Sequence, residues 1–242
     1  MKSYEELKAK MTRSEVTFIA EIGLNHNGNF GLFFELIKQA SLSGADFAKF
    51  QLGWRSKPGE INRLESHDIE NILKCCDHFN IEPLFSVFDE ASFELTEKYE
   101  MQAYKIASRT AVEKPDLVET IIKTNKPVFI SLGMVDNLSP FGVSETINYL
   151  WCQSLYPVHP WETKPFPQGF GEKNLIGFSD HSVGIELALF AITKGATVIE
   201  KHFTLDKSDV TIRDHALSLS PDEFRQLTSI GREIKKYCDL GL

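Results

Sequence analysis

Apolar residues recur along this chain in two alternating modes. Short runs rich in β-branched and aromatic residues read as buried strands. Between them lie longer segments whose apolar positions repeat every three to four residues, as one face of a helix does. The first pair sets the theme. Val16-Thr17-Phe18-Ile19-Ala20 runs into Glu21-Ile22-Gly23 and a polar turn, Asn25-His26-Asn27-Gly28-Asn29. A helical segment over 30–43 follows, with Leu32, Phe33, Leu36, Ile37 and Ala40 on one face and Gly44 placed as a C-cap. Further strands are predicted at 47–50, 83–88, 103–107, 127–131, 149–152, 175–179 and 198–203. Further helices are predicted at 67–79, 91–99, 114–124, 185–193 and 221–237, with a weaker helical segment over 144–148. The last helix opens on Ser220-Pro221-Asp222-Glu223, a cap followed by a first-turn proline.

Strand and helix alternating at this spacing is the pattern of parallel βα units. Eight such units in 242 residues predict an α/β protein with a single (β/α)8 TIM barrel over 16–242, preceded by a leader over 1–15. A doubly wound open sheet is the runner-up. Against it, no Gly-x-Gly-x-x-Gly follows the first strand.

Barrel enzymes build their sites at the C-terminal ends of the strands. Here those ends carry Glu21, Lys49 with Gln51, Ser86 with Asp89, Lys105 with Ser108, Ser131, Gln153 with Tyr156, Ser179 with His181, and Glu200 with Lys201 and His202. The stretch 177–204 is the densest: two strands joined by one helix each end in a histidine. Parallel strands bring both ends to one edge, so His181 and His202 are a candidate metal-ligand pair. The alternative is two capped or core histidines.

Lysine at the end of a buried strand is costly unless paired, so Lys49 and Lys105 call for an anion. A phosphate or carboxylate substrate fits, with Ser108, Ser131 and Ser179 as further donors. The alternative is that the lysines pair with Glu21, Glu200 and Asp180 across the barrel.

Composition narrows the partners. With 26 basic and 34 acidic residues the net charge is −8, so no global basic footprint points to nucleic acid or an anionic membrane. No apolar run reaches the roughly 18 residues of a membrane span, and the N-terminus has no signal-like apolar core. The four cysteines show no paired spacing and read as reduced thiols of a cytoplasmic protein. His67 and His78 share a helix face three turns apart, too far for one ion. Trp54 and Trp161 fall on loops bordering the mouth, and His215 reads as a rim or sugar contact.

Seven blocks then carry a resemblance: Ile19-Ala20-Glu21-Ile22-Gly23-Leu24-Asn25-His26-Asn27-Gly28; Gly44-Ala45-Asp46 with Lys49-Phe50-Gln51; Lys105-Ile106-Ala107-Ser108; Ser131-Leu132-Gly133-Met134; Ser154-Leu155-Tyr156-Pro157; Gly177-Phe178-Ser179-Asp180-His181-Ser182; and Glu200-Lys201-His202-Phe203-Thr204-Leu205-Asp206. In this order they resemble the N-acetylneuraminate (sialic acid) synthase family. The resemblance implies a transferase that condenses phosphoenolpyruvate with an N-acetylmannosamine-like N-acetylhexosamine, giving a nine-carbon 2-keto sugar acid and phosphate. It implies a divalent metal, Mn2+ or Mg2+, on His181 and His202. By the same resemblance Lys49, Gln51, Ser86, Lys105, Ser108, Ser131 and Ser179 hold phosphoenolpyruvate, and Glu21, Tyr156 and Asp214 face the sugar.

The chain also departs from that pattern. Arg109-Thr110 follows Ser108 where the family usually has Gly-Glu, and Val87 follows Ser86 where it has a hydroxyl. The connection after Gln51 is short. The sequence stops at Leu242 without the antifreeze-like domain that in the family reaches into a partner's site. A second copy of the chain or a separate antifreeze-like protein is therefore an expected partner. An impaired barrel that binds phosphoenolpyruvate or sugar without turnover is the alternative function.

Overall fold

The computed structural model describes residues 15–55, 57–60 and 63–241. Residues 1–14 of the expected leader lie outside them. Eight parallel strands run β1 (Thr17–Gly23), β2 (Phe47–Leu52), β3 (Glu82–Val87), β4 (Tyr104–Ile106), β5 (Val128–Ser131), β6 (Ile147–Cys152), β7 (Leu175–Asp180) and β8 (Val198–His202). They close in sequence order, β8 pairing back onto β1 from Thr17↔Val198 to Glu21↔His202. The barrel reading holds, and the open sheet is excluded.

Inside the barrel the two-residue period of a strand does two jobs. One inward layer is apolar: Ile19, Phe47, Leu84, Ala103, Phe129, Leu150 and Val198 pack into a plug. Two residues further along each strand come Glu21, Lys49, Ser86, Lys105, Ser131, Cys152 and Glu200, a polar floor above it. The outward positions are mostly apolar, for example Phe18, Phe50, Phe85, Ile130, Phe178 and Ile199, with Asp180 and Lys201 as charged exceptions at the ends of β7 and β8.

Those positions meet the apolar stripes of the helices α1 (Phe30–Leu42), α2 (Ser66–His78), α3 (Glu90–Glu97), α4 (Ser108–Glu113), α5 (Pro115–Ile122), α6 (Glu186–Thr193) and α7 (Pro221–Asp239). On α1 the buried stripe is Phe33, Leu36, Ile37 and Ala40. The Asn29 side chain caps α1 by accepting from the Gly31 N–H, and Asp89 caps α3 by accepting from Ser92. Asp89 therefore serves a helix rather than the mouth. Ser220 and Glu223 form the capping box of α7.

Two expectations are corrected. The helix expected over 114–124 is preceded by a separate short one, α4, that starts directly after β4. The segment 144–148 is not helical: β6 already begins at Ile147. The preceding loop is tied to β6 by the Tyr149 hydroxyl, which accepts from the Phe141 N–H (3.0 Å) and donates to the Gly142 carbonyl (2.9 Å). A β-branched pair, Thr146-Ile147, with few apolar partners at helical spacing favours the strand.

Gly177 occupies the plug layer of β7 with no side chain. A Cβ there would stand 2.3 Å from the Val198 carbonyl oxygen and 2.8 Å from Leu150 Cδ2. Backbone cannot yield as a side chain can. Gly177→Ala is therefore expected to cost about 3 kcal/mol, seen as a lower urea midpoint with the slope unchanged. An unchanged midpoint would mean that β7 and β8 are not packed this closely.

Candidate active site

The polar floor opens into a cavity of about 540 Å³ at the C-terminal mouth. The twelve residues to which the family resemblance gives a metal, phosphoenolpyruvate or sugar role all line it: Glu21, Lys49, Gln51, Ser86, Lys105, Ser108, Ser131, Tyr156, Ser179, His181, His202 and Asp214. Trp54, Arg109, Gly133, Cys152, Ser154, Glu200 and Arg213 add to the wall. Trp161, Gln153 and His215 do not belong to it. Trp161 stacks on His159 in an exposed loop, and the Gln153 side chain holds residues 162–164. The His215 ring is engaged by Thr204 (2.7 Å) and Asn27 (3.4 Å). Cys152, overlooked as a site residue, was detectable: it stands two positions beyond the plug residue Leu150 and pairs in register with Ser179.

The lysines are not left waiting for a substrate. Lys49 Nζ lies 2.7 Å from Glu21 Oε2 and 3.5 Å from Glu200 Oε2, and it donates to Ser86 Oγ at 2.8 Å. Lys105 Nζ donates to Ser131 Oγ (2.7 Å) and the Ile106 carbonyl (2.9 Å), and lies 3.9 Å from Glu200 Oε1. Ser179 donates to Glu200 Oε1 at 2.7 Å, and Gln51 donates to Glu21 Oε1 at 2.8 Å. The expectation of an anion is thus met internally by two glutamates. Asp180 pairs instead with Lys201, behind the cavity wall.

Burial and charge act on the floor in opposite directions. Burial pushes the Glu21 carboxyl above the usual range despite the lysine beside it. Burial also disfavours the charged Lys49, yet Glu200 and Glu21 outweigh it and hold the ammonium above its ordinary value. For Glu200 the cost of burial is overcome by Lys105 and Lys49, so its pKa is lowered. Lys105, dominated by burial, moves down. Two carboxylates close together thus differ in proton affinity, the usual mark of divided acid–base roles.

The two imidazoles face each other with ring centroids 5.5 Å apart. His181 Nδ1 lies 2.9 Å from the Gln153 carbonyl oxygen, an acceptor only, so Nδ1 carries a proton, and in the neutral ring the lone pair is on Nε2. Ligand histidines are commonly oriented in this way. Burial lowers the His202 pKa, keeping that ring neutral, and its Nδ1 is buried with no hydrogen bond among the described residues. These features fit a divalent cation. No group of three or more His, Cys, Asp or Glu side chains suited to an ion occurs among the described residues. The chain itself therefore offers two imidazoles and leaves the other positions open. The Tyr156 ring covers His181 at 4.1 Å, and the Arg213 guanidinium sits 4.8 Å over Tyr156.

The model of the NeuB family matches residues 60–241. An N,N'-diacetyllegionaminic acid synthase of Campylobacter jejuni is 33% identical over 267 residues, spanning 93% of this chain and 78% of the relative. An uncharacterized protein of Methanocaldococcus jannaschii is 32% identical over 253 residues, spanning 95% and 74%. Among solved structures, the N-acetylneuraminic acid (sialic acid) synthetase of Leptospira borgpetersenii in complex with citrate superposes with a TM-score of 0.78 at 25% identity, covering 93% of this chain and 85% of that one.

Proposed function

Because the chain belongs to the NeuB family, we propose that it condenses phosphoenolpyruvate with an N-acetylhexosamine of the N-acetylmannosamine type, forming a nine-carbon 2-keto sugar acid and phosphate with a divalent metal. The observation that carries this reading is the convergence of two buried ammonium groups and two facing imidazoles on one cavity. An enol phosphate needs cations for its phosphate and carboxylate. An aldehyde needs an electrophile.

C3 of phosphoenolpyruvate attacks the aldehyde carbon, forming the new C–C bond, and the aldehyde oxygen ends as a hydroxyl. Water adds at C2 and gives up a proton; collapse of the adduct then breaks the bond from C2 to the phosphate oxygen. Lys49 and Lys105, with Ser86, Ser108, Ser131 and Ser179, bind the phosphate and carboxylate and stabilise charge as it develops. Glu21 takes the proton of the attacking water. Burial raises its proton affinity, whereas Glu200 is held ionised by Lys105 and Lys49. Tyr156 and Asp214, on the outer wall, orient the sugar. His181 and His202 would hold a Mn2+ or Mg2+ ion, which supplies Lewis acidity toward the aldehyde.

A second reading, binding without turnover, draws on Arg109. It occupies the position of a family glycine, with Thr110 in place of the glutamate that follows, and it donates to Glu113 at 2.9 Å and lies 5.7 Å from the Trp54 ring centre. Phosphate release from phosphoenolpyruvate, followed with Mn2+ and a panel of N-acetylhexosamines, separates the two. Release that requires both metal and sugar and stops on chelation is the expected result. Calorimetric binding of phosphoenolpyruvate with no release for any sugar would overturn turnover and leave the binding barrel.

A further inference from the structure

Behind the cavity wall, at the seam of β7 and β8, lies a charge pair that touches no part of the cavity. Asp180 and Lys201 are neighbours in the β7–β8 register, and both side chains are fully buried. Each immediately precedes one of the facing histidines. Lys201 Nζ donates to Asp180 Oδ2 (2.7 Å), to the Ser182 carbonyl (2.6 Å) and to Ser182 Oγ (3.2 Å). The second Asp180 oxygen accepts from the Ser182 N–H at 2.7 Å. One ammonium from β8 thus grips the residues on both sides of His181. The alternation that turns His181 and His202 inward turns Asp180, Ser182 and Lys201 away from the cavity.

We infer that the Lys201–Asp180–Ser182 clasp is a positioning device that fixes the mutual orientation of His181 and His202. This rests on the reading of those two rings as metal ligands. A buried ion pair is a poor source of net stability, because the cost of taking two charges out of water offsets their attraction. What this pair supplies is geometry. It joins the end of β8 to the turn carrying His181 through all three ammonium protons, so the strand ends cannot slide or twist independently. The His181 main chain is held further on its other side, where its carbonyl accepts from the Val158 N–H at 2.9 Å. The ring, bonded to the Gln153 carbonyl, then has one orientation open to it.

The test is the double variant Asp180→Asn/Lys201→Met. It removes both charges together and keeps an acceptor for the Ser182 N–H. Two readouts are measured beside thermal melting: Mn2+ affinity by calorimetry, and the tautomers of the imidazoles by 15N NMR of the metal-free protein. The unaltered protein is expected to show His181 as a single Nδ1–H tautomer. The double variant is expected to melt cooperatively, to bind Mn2+ about 10- to 100-fold more weakly and to show His181 as a tautomer mixture. Wild-type affinity together with a single tautomer in the double variant would overturn the inference. Should the unaltered protein bind no Mn2+, the metal reading fails, and the tautomer measurement alone decides the role of the clasp. If the double variant does not fold, Ser182→Ala is used instead. It removes only the 3.2 Å contact and is expected to move both readouts the same way to a smaller extent; no movement in either overturns the inference.

Discussion

Replacing Lys49 with methionine is expected to destabilise the barrel by about 3–5 kcal/mol at neutral pH and to abolish phosphoenolpyruvate binding. Both effects come from one ammonium. Lys49 stands between Glu21 and Glu200, at 2.7 and 3.5 Å, and all three side chains are buried in the floor. Without it, two buried carboxyls share the floor, whose remaining ammonium is Lys105, 3.9 Å from Glu200.

The loss has a definite pH dependence. Removing the cation raises the folded-state pKa of both carboxyls: Glu21, already above its ordinary value, rises further, and Glu200 loses one of the two ammonium groups that hold it low. Stability from such groups is present below the unfolded pKa and disappears as pH rises through the folded one. The gap between Lys49→Met and the unaltered protein should therefore be small near pH 4 and widen toward pH 8. Urea denaturation across that range measures it. A gap that does not change with pH would show that the two glutamates are not held together by Lys49. Calorimetry with phosphoenolpyruvate tests the second effect, because the same ammonium is proposed to serve the substrate's phosphate or carboxylate.

The ease with which this floor was located from the sequence has a simple cause. In a closed barrel the inward direction is set by a two-residue period. Glu21 follows Ile19, Lys49 follows Phe47, Ser131 follows Phe129 and Glu200 follows Val198, each by two positions. A polar residue just past an inward apolar one must enter the mouth, and a sequence displays that directly. Partners across the barrel are another matter. Glu200 on β8 reaches Lys49 on β2 and Lys105 on β4 because the sheet closes and the strands tilt. No local pattern encodes those distances, so the sequence alone leaves an external anion and pairing with Glu21 and Glu200 both open for the lysines. The clasp was hidden for the same reason. Asp180 and Lys201 each read as one more polar residue at the mouth, and only the β7–β8 register shows that they face each other behind it. The helix expected over 144–148 went wrong in the opposite way, a weak local signal overridden when Ile147 entered β6.

Glu21→Gln is expected to lower kcat for phosphate release by about 10²- to 10⁴-fold, while the KM for phosphoenolpyruvate changes by only a few-fold. The split follows from the geometry. Glutamine keeps the size of the side chain and an oxygen toward Lys49, which also retains Glu200. Substrate binding therefore keeps its cations, and what is removed is a group that can take a proton. Of the two floor glutamates, burial raises Glu21, while Lys105 and Lys49 hold Glu200 low. Glu200 cannot take over, because it binds protons too weakly. The unaltered enzyme should lose activity toward acid as Glu21 becomes protonated, above the ordinary glutamate range, and Glu21→Gln should lack that acid limb. Stability should move the other way. The raised pKa of Glu21 means that its contribution is lost as pH rises, so the variant gains on the unaltered protein in alkaline urea titrations. A variant with full kcat and an intact acid limb would remove Glu21 from the proton transfer and direct attention to Asp214, the other carboxylate on the cavity wall.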